Sequence, residues 1–230
     1  MRTQTFISSM VLSVACVSAA NATVVYNTID PFTTTTTPTT VTNATSGYTY
    51  SALTGTLWDS RGIKTMTNSN TRATTAMTIG AGSMLFSVAR VGAANTNVGT
   101  WQKAILDYNT ATDQYPDFTN FTSLDFNYVS DLAGDLKCKI MLSDAGNFVV
   151  EKTISAGSGL MSFTLADFGG ITTNQDLMGP LSIEFYRSGS NASGSLTITN
   201  LVANGASIPA PGAAALIGLA GLVDGRRRRN

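Results

Sequence analysis

The side chains that could do chemistry in this chain are carboxylates and hydroxyls, because its 230 residues include no histidine. That removes the commonest general base and a principal transition-metal ligand. A Ser-His-Asp triad is impossible, and zinc sites of the Cys/His type go with it. The richest group of oxygen ligands is Asp107-Tyr-Asn-Thr-Ala-Thr-Asp113, followed by Asp117 and Asn120. It lacks the turn glycine and the closing glutamate of an EF-hand loop. Solvated turn chemistry is its default reading, with a structural calcium ion as the alternative; no other cofactor is implied. A carboxylate pair for glycoside hydrolysis depends on spacing in three dimensions. The acids nevertheless fall mostly in Asp/Asn turns, and only Glu151 and Glu184 sit within strand patterns. No enzyme is expected. Gly80-Ala-Gly82 and Gly157-Ser-Gly159 do not open helices after strands, so they read as turns and not as phosphate cradles.

Aromatic rings are the remaining handle on ligands, since sugar rings stack on Trp and Tyr faces. Trp58, Trp101 and Tyr115 are the candidate contacts, with Tyr108 and Tyr186 behind them. Trp58 lies at a strand end, and Tyr115-Pro116 lies in a loop. The competing role for each is packing, because aromatics dominate sandwich cores.

Charged residues make up only 12% of the chain, while Gly, Thr, Ser and Ala abound, a composition suited to an extracellular β-protein with many turns. Residues 23 to 223 hold 9 Lys or Arg against 13 Asp or Glu, a balance of −4. That leaves no basic surface, and nucleic-acid binding has little electrostatic support.

Short runs at period two recur from Tyr48 onward, separated by Gly, Asn or Asp. Ser83 to Val91 places Met84, Phe86 and Val88 against Leu85, Ala89 and Val91, so both of its faces are expected to be buried. Trp101–Asn109, Ser123–Val129, Asp135–Leu142 and Asn147–Ile154 follow, the last two flanking the hairpin signal Ser143-Asp-Ala-Gly146. Alternation continues through Met161, Phe163 and Leu165, then Leu181, Ile183 and Phe185, then Leu196, Ile198, Asn200 and Val202. Cys138 shares one face with Leu136, Ile140 and Leu142, as a buried small hydrophobe would. No stretch between Thr23 and Ser207 sustains a 3.6-residue period. The fold expected is all-β: an antiparallel β-sandwich, jelly-roll-like in order. The Thr-rich segment 33–45 is an exposed loop, an O-glycosylated stalk or an irregular edge strand; composition does not choose.

Both ends carry processing signals. Residues 1–22 have the form of a secretory signal peptide: Arg2, an apolar core from Phe6 to Val17, and the small-residue box Ala20-Asn21-Ala22. Signal peptidase would start the mature chain at Thr23. Cleavage removes Cys16 and leaves Cys138 alone, which excludes an intramolecular disulfide. Residues 208–230, IPAPGAAALIGLAGLVDGRRRRN, run from a Pro-Ala-Pro turn through an apolar stretch to four arginines. The stretch falls short of the roughly 20 residues of a stable spanning helix, so a short hydrophobic helix and a transient anchor are expected. The arginines would hold the cytoplasmic side.

Pro209, Ala210 and Pro211, the small-residue apolar run, and Arg226, Arg227, Arg228 and Arg229 at the extreme terminus resemble the PEP-CTERM sorting tail. Ala210 stands where the family name specifies Glu, and Asp224 interrupts the join between apolar run and arginines. The resemblance implies a Gram-negative, polysaccharide-producing bacterium, and an exosortase that recognises and removes the tail at the inner membrane. It implies a secreted protein released to the envelope or the exopolysaccharide matrix. The intervening residues 23–207 also resemble the β-sandwich domains found upstream of such tails, some of which look like carbohydrate-binding modules. Three functions follow in order: a non-enzymatic matrix protein, a carbohydrate-binding module with or without calcium, and a carboxylate-based glycoside hydrolase.

Overall fold

In this computed structural model, residues 26–68, 72–91, 100–109, 121–142, 148–169, 179–190 and 192–205 are described. They lie within a compact unit from Val24 to Ser207. In chain order the strands are β1 (Tyr26–Asp30), β2 (Thr36–Thr42), β3 (Thr49–Ala52), β4 (Ser60–Thr67), β5 (Ala73–Gly80), β6 (Ser83–Arg90) and β7 (Trp101–Asn109). Then come β8 (Phe121–Ser130), β9 (Asp135–Leu142), β10 (Phe148–Thr153), β11 (Gly157–Thr164), β12 (Leu181–Ser188) and β13 (Gly194–Gly205).

Every pairing among them is antiparallel, in two sheets. Sheet A runs β11-β8-β13-β6-β5-β2, with β1 added beside β13; sheet B runs β10-β9-β12-β7-β4-β3. The later pairings are nested: β6 with β13, β7 with β12, β8 with β11 and β9 with β10. Successive pairs alternate between sheets A and B, as in a two-stranded ribbon rolled around a core.

Alternation in sequence becomes alternation in burial. On β12, Leu181, Ile183, Phe185 and Arg187 are buried while the residues between them are half-buried. Inward side chains of both sheets merge into one cluster. Phe126 of sheet A meets Phe185 of sheet B edge-on at 5.9 Å and stacks on Phe163 at 6.4 Å. Such a shared interior between two facing sheets is the packing of a sandwich. Leu136, Cys138, Ile140 and Leu142 are all buried on β9, and burial pushes the Cys138 thiol well above its usual range. Ala81 and Gly82, both at positive φ, make the two-residue turn joining β5 to β6, the geometry that matches strand twist.

Four sequence expectations change here. Ser83–Val91 buries only Met84, Phe86 and Val88; Leu85, Ala89 and Val91 are exposed, because nothing described covers the outer face of sheet A. The alternation of β13 breaks at Asn200, which takes a φ of +56° within a register shift between Thr199 and Val202. The bulge flips the parity, so Leu201 and Ala203 are buried and Val202 turns away. Gly157-Ser-Gly159 is the start of β11 and not a turn. Strand acids also include Asp30, Asp107, Asp125 and Asp135. Of the three readings for the Thr-rich segment, the irregular edge strand applies to Thr36–Thr42: β2 ends sheet A, with Pro38 at a register shift.

A buried polar network ties the sheets together. The Asp30 carboxylate accepts from Arg61, from the Tyr108 hydroxyl at 3.0 Å and from the Phe32 N–H at 2.7 Å. Arg61 also donates to the Thr34 carbonyl and to the Thr36 hydroxyl, each at 2.6 Å. Asp30 and Arg61 have no solvent exposure, and they connect β1 and β2 of sheet A to β4 and β7 of sheet B. A charge so placed is tolerable only when paired and hydrogen-bonded.

Candidate functional site

Arg61 and Ile63 point inward on β4, so Gly62 and Lys64 between and beyond them face out from sheet B. The register then lays out this outer face in rows. Tyr50, Gly62, Asp107, Ser182, Met141 and Val149 form one row across the sheet. Lys64, Ile105, Glu184, Lys139 and Glu151 form the next. Met66, Lys103, Tyr186 and Lys137 form a third.

Gly62 is where this face is lowest. A Cβ there would sit 2.7 Å from Cε1 of Tyr50 and 3.2 Å from Cδ1 of Tyr48. The two tyrosine rings therefore lie against the bare glycine backbone, and no other residue allows that approach. The rings stack on each other, with centroids 5.7 Å apart and planes 26° off parallel. They remain 39% and 63% exposed, far above anything a core aromatic shows here. The Lys64 ammonium stands 4.9 Å from the Tyr48 centroid, within cation–π range. Tyr50 also lines an open hollow of about 420 Å³, with Ser51, Ala52, Leu53, Asp59 and Ser60.

Asp107 is beside Gly62 across the β4–β7 ladder. Burial raises its carboxyl above the ordinary value. Burial also raises the Tyr48 phenol, with Asp107, Tyr50 and Glu184 adding smaller contributions. Farther along the face Trp101 and Tyr186 pair at 6.4 Å. Lys103 is 5.7 Å from the Tyr186 ring and bonds Glu184 at 2.9 Å. Lys137 bonds Glu151 at 3.0 Å, which with Asp135 raises its ammonium pKa. Both glutamates singled out as strand acids are thus bound to lysines. What this surface offers is flat ring area bordered by separate hydrogen-bonding groups.

The sequence candidates fare differently. Trp58 is fully buried, its indole N–H donating to the Gly179 carbonyl at 3.3 Å and its ring 6.2 Å from Tyr108. No ligand can reach it, so it is a core residue and not a contact. Tyr108 is likewise interior. Trp101 and Tyr186 are half-buried on the outer face of sheet B. Tyr115, the processing residues Ala20 and Ala22, and the tail residues Pro209, Ala210, Pro211 and Arg226–Arg229 lie outside the described residues, as does the C-terminal helix. Most of the calcium candidate, residues 110–120, lies outside them too; among the described residues no three acidic or thiol side chains group as metal ligands. Sequence reasoning missed Tyr48, Tyr50 and Gly62. The available signal was Tyr48-Thr-Tyr50, two aromatics at period two that must share a face.

No protein-family model matches the chain, and no curated protein does. Among solved structures, the chain is similar to a family 11 carbohydrate-binding module of a cellulosomal cellulase of Clostridium thermocellum. The match has 14% identity and a TM-score of 0.42, covering 81% of this chain and 98% of that one. A loop-swap mutant of Xyn11A from Necallimastix patriciarum matches at 11% identity and a TM-score of 0.41, covering 74% and 100%. The enzymatically active domain of a bacteriophage CBA120 tailspike protein matches at 10% and 0.36, covering 78% and 21%. Likenesses this distant decide nothing about ligand or chemistry.

Proposed function

We propose that this is a secreted, non-enzymatic matrix or envelope protein whose jelly-roll β-sandwich holds polysaccharide on the outer face of sheet B. The observation that carries the binding reading is the Tyr48–Tyr50 pair lying over Gly62, two exposed rings with a half-buried carboxylate beside them. A solvated surface has no use for stacked, exposed tyrosines, and a sugar chain supplies the C–H faces that complete the stack. Asp107 and Ser182 in the same row can take hydrogen bonds from its hydroxyls. A hydrolase reading is not favoured: glycoside hydrolysis needs a pair of carboxyl groups, and Glu184 and Glu151, which would have to complete a pair with Asp107 on this face, are each bound to a lysine.

The delivery half of the proposal rests on the two ends. Signal peptidase would act after Ala22, and an exosortase would remove the tail after its transient stay in the inner membrane. Support comes from the order of Pro209-Ala-Pro211, the apolar run and Arg226–Arg229. The test of binding is affinity electrophoresis of the full chain in gels containing exopolysaccharide from a bacterium that bears such tails, against neutral glucan gels. Retardation is expected, and Tyr48→Ala/Tyr50→Ala should lower it at least tenfold while leaving the melting temperature unchanged. Retardation that survives the double substitution places binding elsewhere. Delivery is read by replacing Arg226–Arg229 with glutamine in cells; release into the medium that does not change refutes sorting through the tail.

A further inference from the structure

Every sheet edge exposes unpaired N–H and C=O groups that can recruit another strand unless something blocks them. Three edges of this sandwich are blocked in recognisable ways. On β2 the register breaks at Pro38; β3 has only four residues; β10 is six residues long and carries Glu151 and Lys152. β1, paired only with β13, is five residues long and accepts from the Leu57 N–H at its Thr28 carbonyl. The remaining edge, β11, is eight residues long and keeps an unbroken register with β8. From Thr153 to Ala166 the chain holds no charged residue and no proline.

Only half of β11 is covered. The Leu165 N–H donates to the Thr122 carbonyl at 2.9 Å, so odd-numbered residues face β8. Even-numbered residues face the open edge. Lys152 reaches over from β10 to the Ser162 carbonyl at 2.8 Å, and Asp167 takes the Thr164 N–H at 2.7 Å. Lys152 and Asp167 also pair with each other. That leaves the N–H and C=O of Ser158 and Leu160, and the N–H of Ser162, without a partner among the described residues. Leu160 is 62% exposed at the centre of this gap, and Val129, opposite Ser158, is 60% exposed on the same outer face of sheet A.

We propose that the open half of β11 pairs with β11 of a second copy of this chain, antiparallel across a two-fold axis at Leu160. Leu160 then faces the partner subunit's Leu160, and Ser158 faces the partner subunit's Ser162. An isologous contact of this kind needs a self-complementary patch, and this one qualifies. It has no charge to repel its copy, its apolar side chain falls on the axis, and its open groups are donors and acceptors in alternation. The Lys152–Asp167 pair closes the strand beyond Ser162, so the gap suits about five residues, which favours a symmetric copy over a long foreign strand. About five residues a side is far smaller than the roughly 20–30 residues a side of a standard stable interface. The dimer is therefore weak and forms where the protein is concentrated. None of this depends on the carbohydrate reading.

The experiment uses the full chain in two arms. Sedimentation velocity over a concentration series should show the wild type shifting from monomer toward dimer, and Leu160→Lys remaining monomeric with the same melting temperature. Leu160→Cys should form a disulfide with its copy under oxidised glutathione at least tenfold faster than Leu85→Cys, which is also exposed on the outer face of sheet A. Paired residues at this position would bring Cα atoms within about 5.5 Å, inside disulfide range. A wild type that stays monomeric throughout, a Leu160→Lys chain that still dimerises, or a disulfide no faster than the Leu85→Cys control overturns the proposal.

Discussion

The two outer faces of this sandwich stand on one core and share almost no surface chemistry. Sheet B presents Lys64, Lys103, Lys137, Lys139, Asp107, Glu184 and Glu151 around the rings of Tyr48, Tyr50, Trp101 and Tyr186. Sheet A presents Thr40, Thr42, Thr74, Thr78, Thr197 and Thr199 with serines and the exposed aliphatic side chains of Leu85, Val129 and Leu160. Its one charged side chain among the described strand positions facing out is Asp125, which accepts from Asn204. Threonine is the inexpensive way to cover a sheet: it favours extended backbone and stays solvated. Sheet B departs from that solution at a cost, since Asp107 is a carboxyl raised by burial, with no hydrogen-bond partner among the described residues. That pairing of a raised carboxyl with exposed rings is what sets sheet B apart and what the binding proposal rests on.

The largest effect should come from behind sheet B. Asp30→Ala leaves Arg61 buried without its counter-charge, and breaking such a pair costs about 3–5 kcal/mol. Thermal melts would show it, and Asp30→Ala/Arg61→Met should recover part of the loss. Because Arg61 adjoins Gly62, polysaccharide retention should fall with the single substitution and return with the double. A single variant that melts like the wild type would mean the two sheets need no polar link.

Next in size is Gly62→Ala. The added methyl meets the exposed ring of Tyr50, which can swing out, so stability should move by less than about 1 kcal/mol. Retention should nevertheless drop severalfold as the ring pair opens. Equal retention in both proteins would separate the stack from the binding site and dissolve the contrast between the faces.

How much of this was readable in advance follows from what is local. Strand positions are local, because alternation is written residue by residue: Trp101–Asn109 and Asp135–Leu142 begin and end where their patterns do. The side that Cys138 faces was equally plain. Partners are not local. Asp30 and Arg61 come together only when β1 and β4 are placed in facing sheets, and nothing in either segment names the other. The bulge at Asn200 reversed the last strand's parity without a glycine to announce it. Trp58 looked available because it ends an apolar pair before Asp59-Ser60, whereas the closing of the sandwich buries it against Tyr108. Tyr48 and Tyr50 carried a period-two signal, but their value as a site comes from Gly62, whose neighbourhood only the β3–β4 pairing reveals.

Asp107→Asn tests the cost of the binding face directly. The folded carboxyl is raised, so the group favours folding while protonated, below its unfolded value near 3.8. That contribution is lost as pH rises through the folded value. Replacing it with asparagine should therefore raise the melting temperature at pH 7 and leave it nearly unchanged at pH 3. The gain is on the order of a few tenths of a kcal/mol for a half-exposed position. Retention by polysaccharide should fall at the same time, separating what the residue does for stability from what it does for binding.

The smallest effect is expected on the other face. Thr78→Lys puts a long cation at an exposed position of sheet A, where substitution should move stability by no more than about 0.5 kcal/mol. If polysaccharide is held by the rings of sheet B, retention should stay where it was at moderate salt. An acidic polysaccharide attracted by charge alone would instead be retained more strongly by the added lysine, and the increase would vanish as salt rises. That second outcome would make the whole surface the binding element and leave Tyr48 and Tyr50 without a special role. An unchanged value, set beside the loss from Gly62→Ala, would assign binding to one face of the sandwich and leave the threonine face free to lie beside a second chain joined through β11.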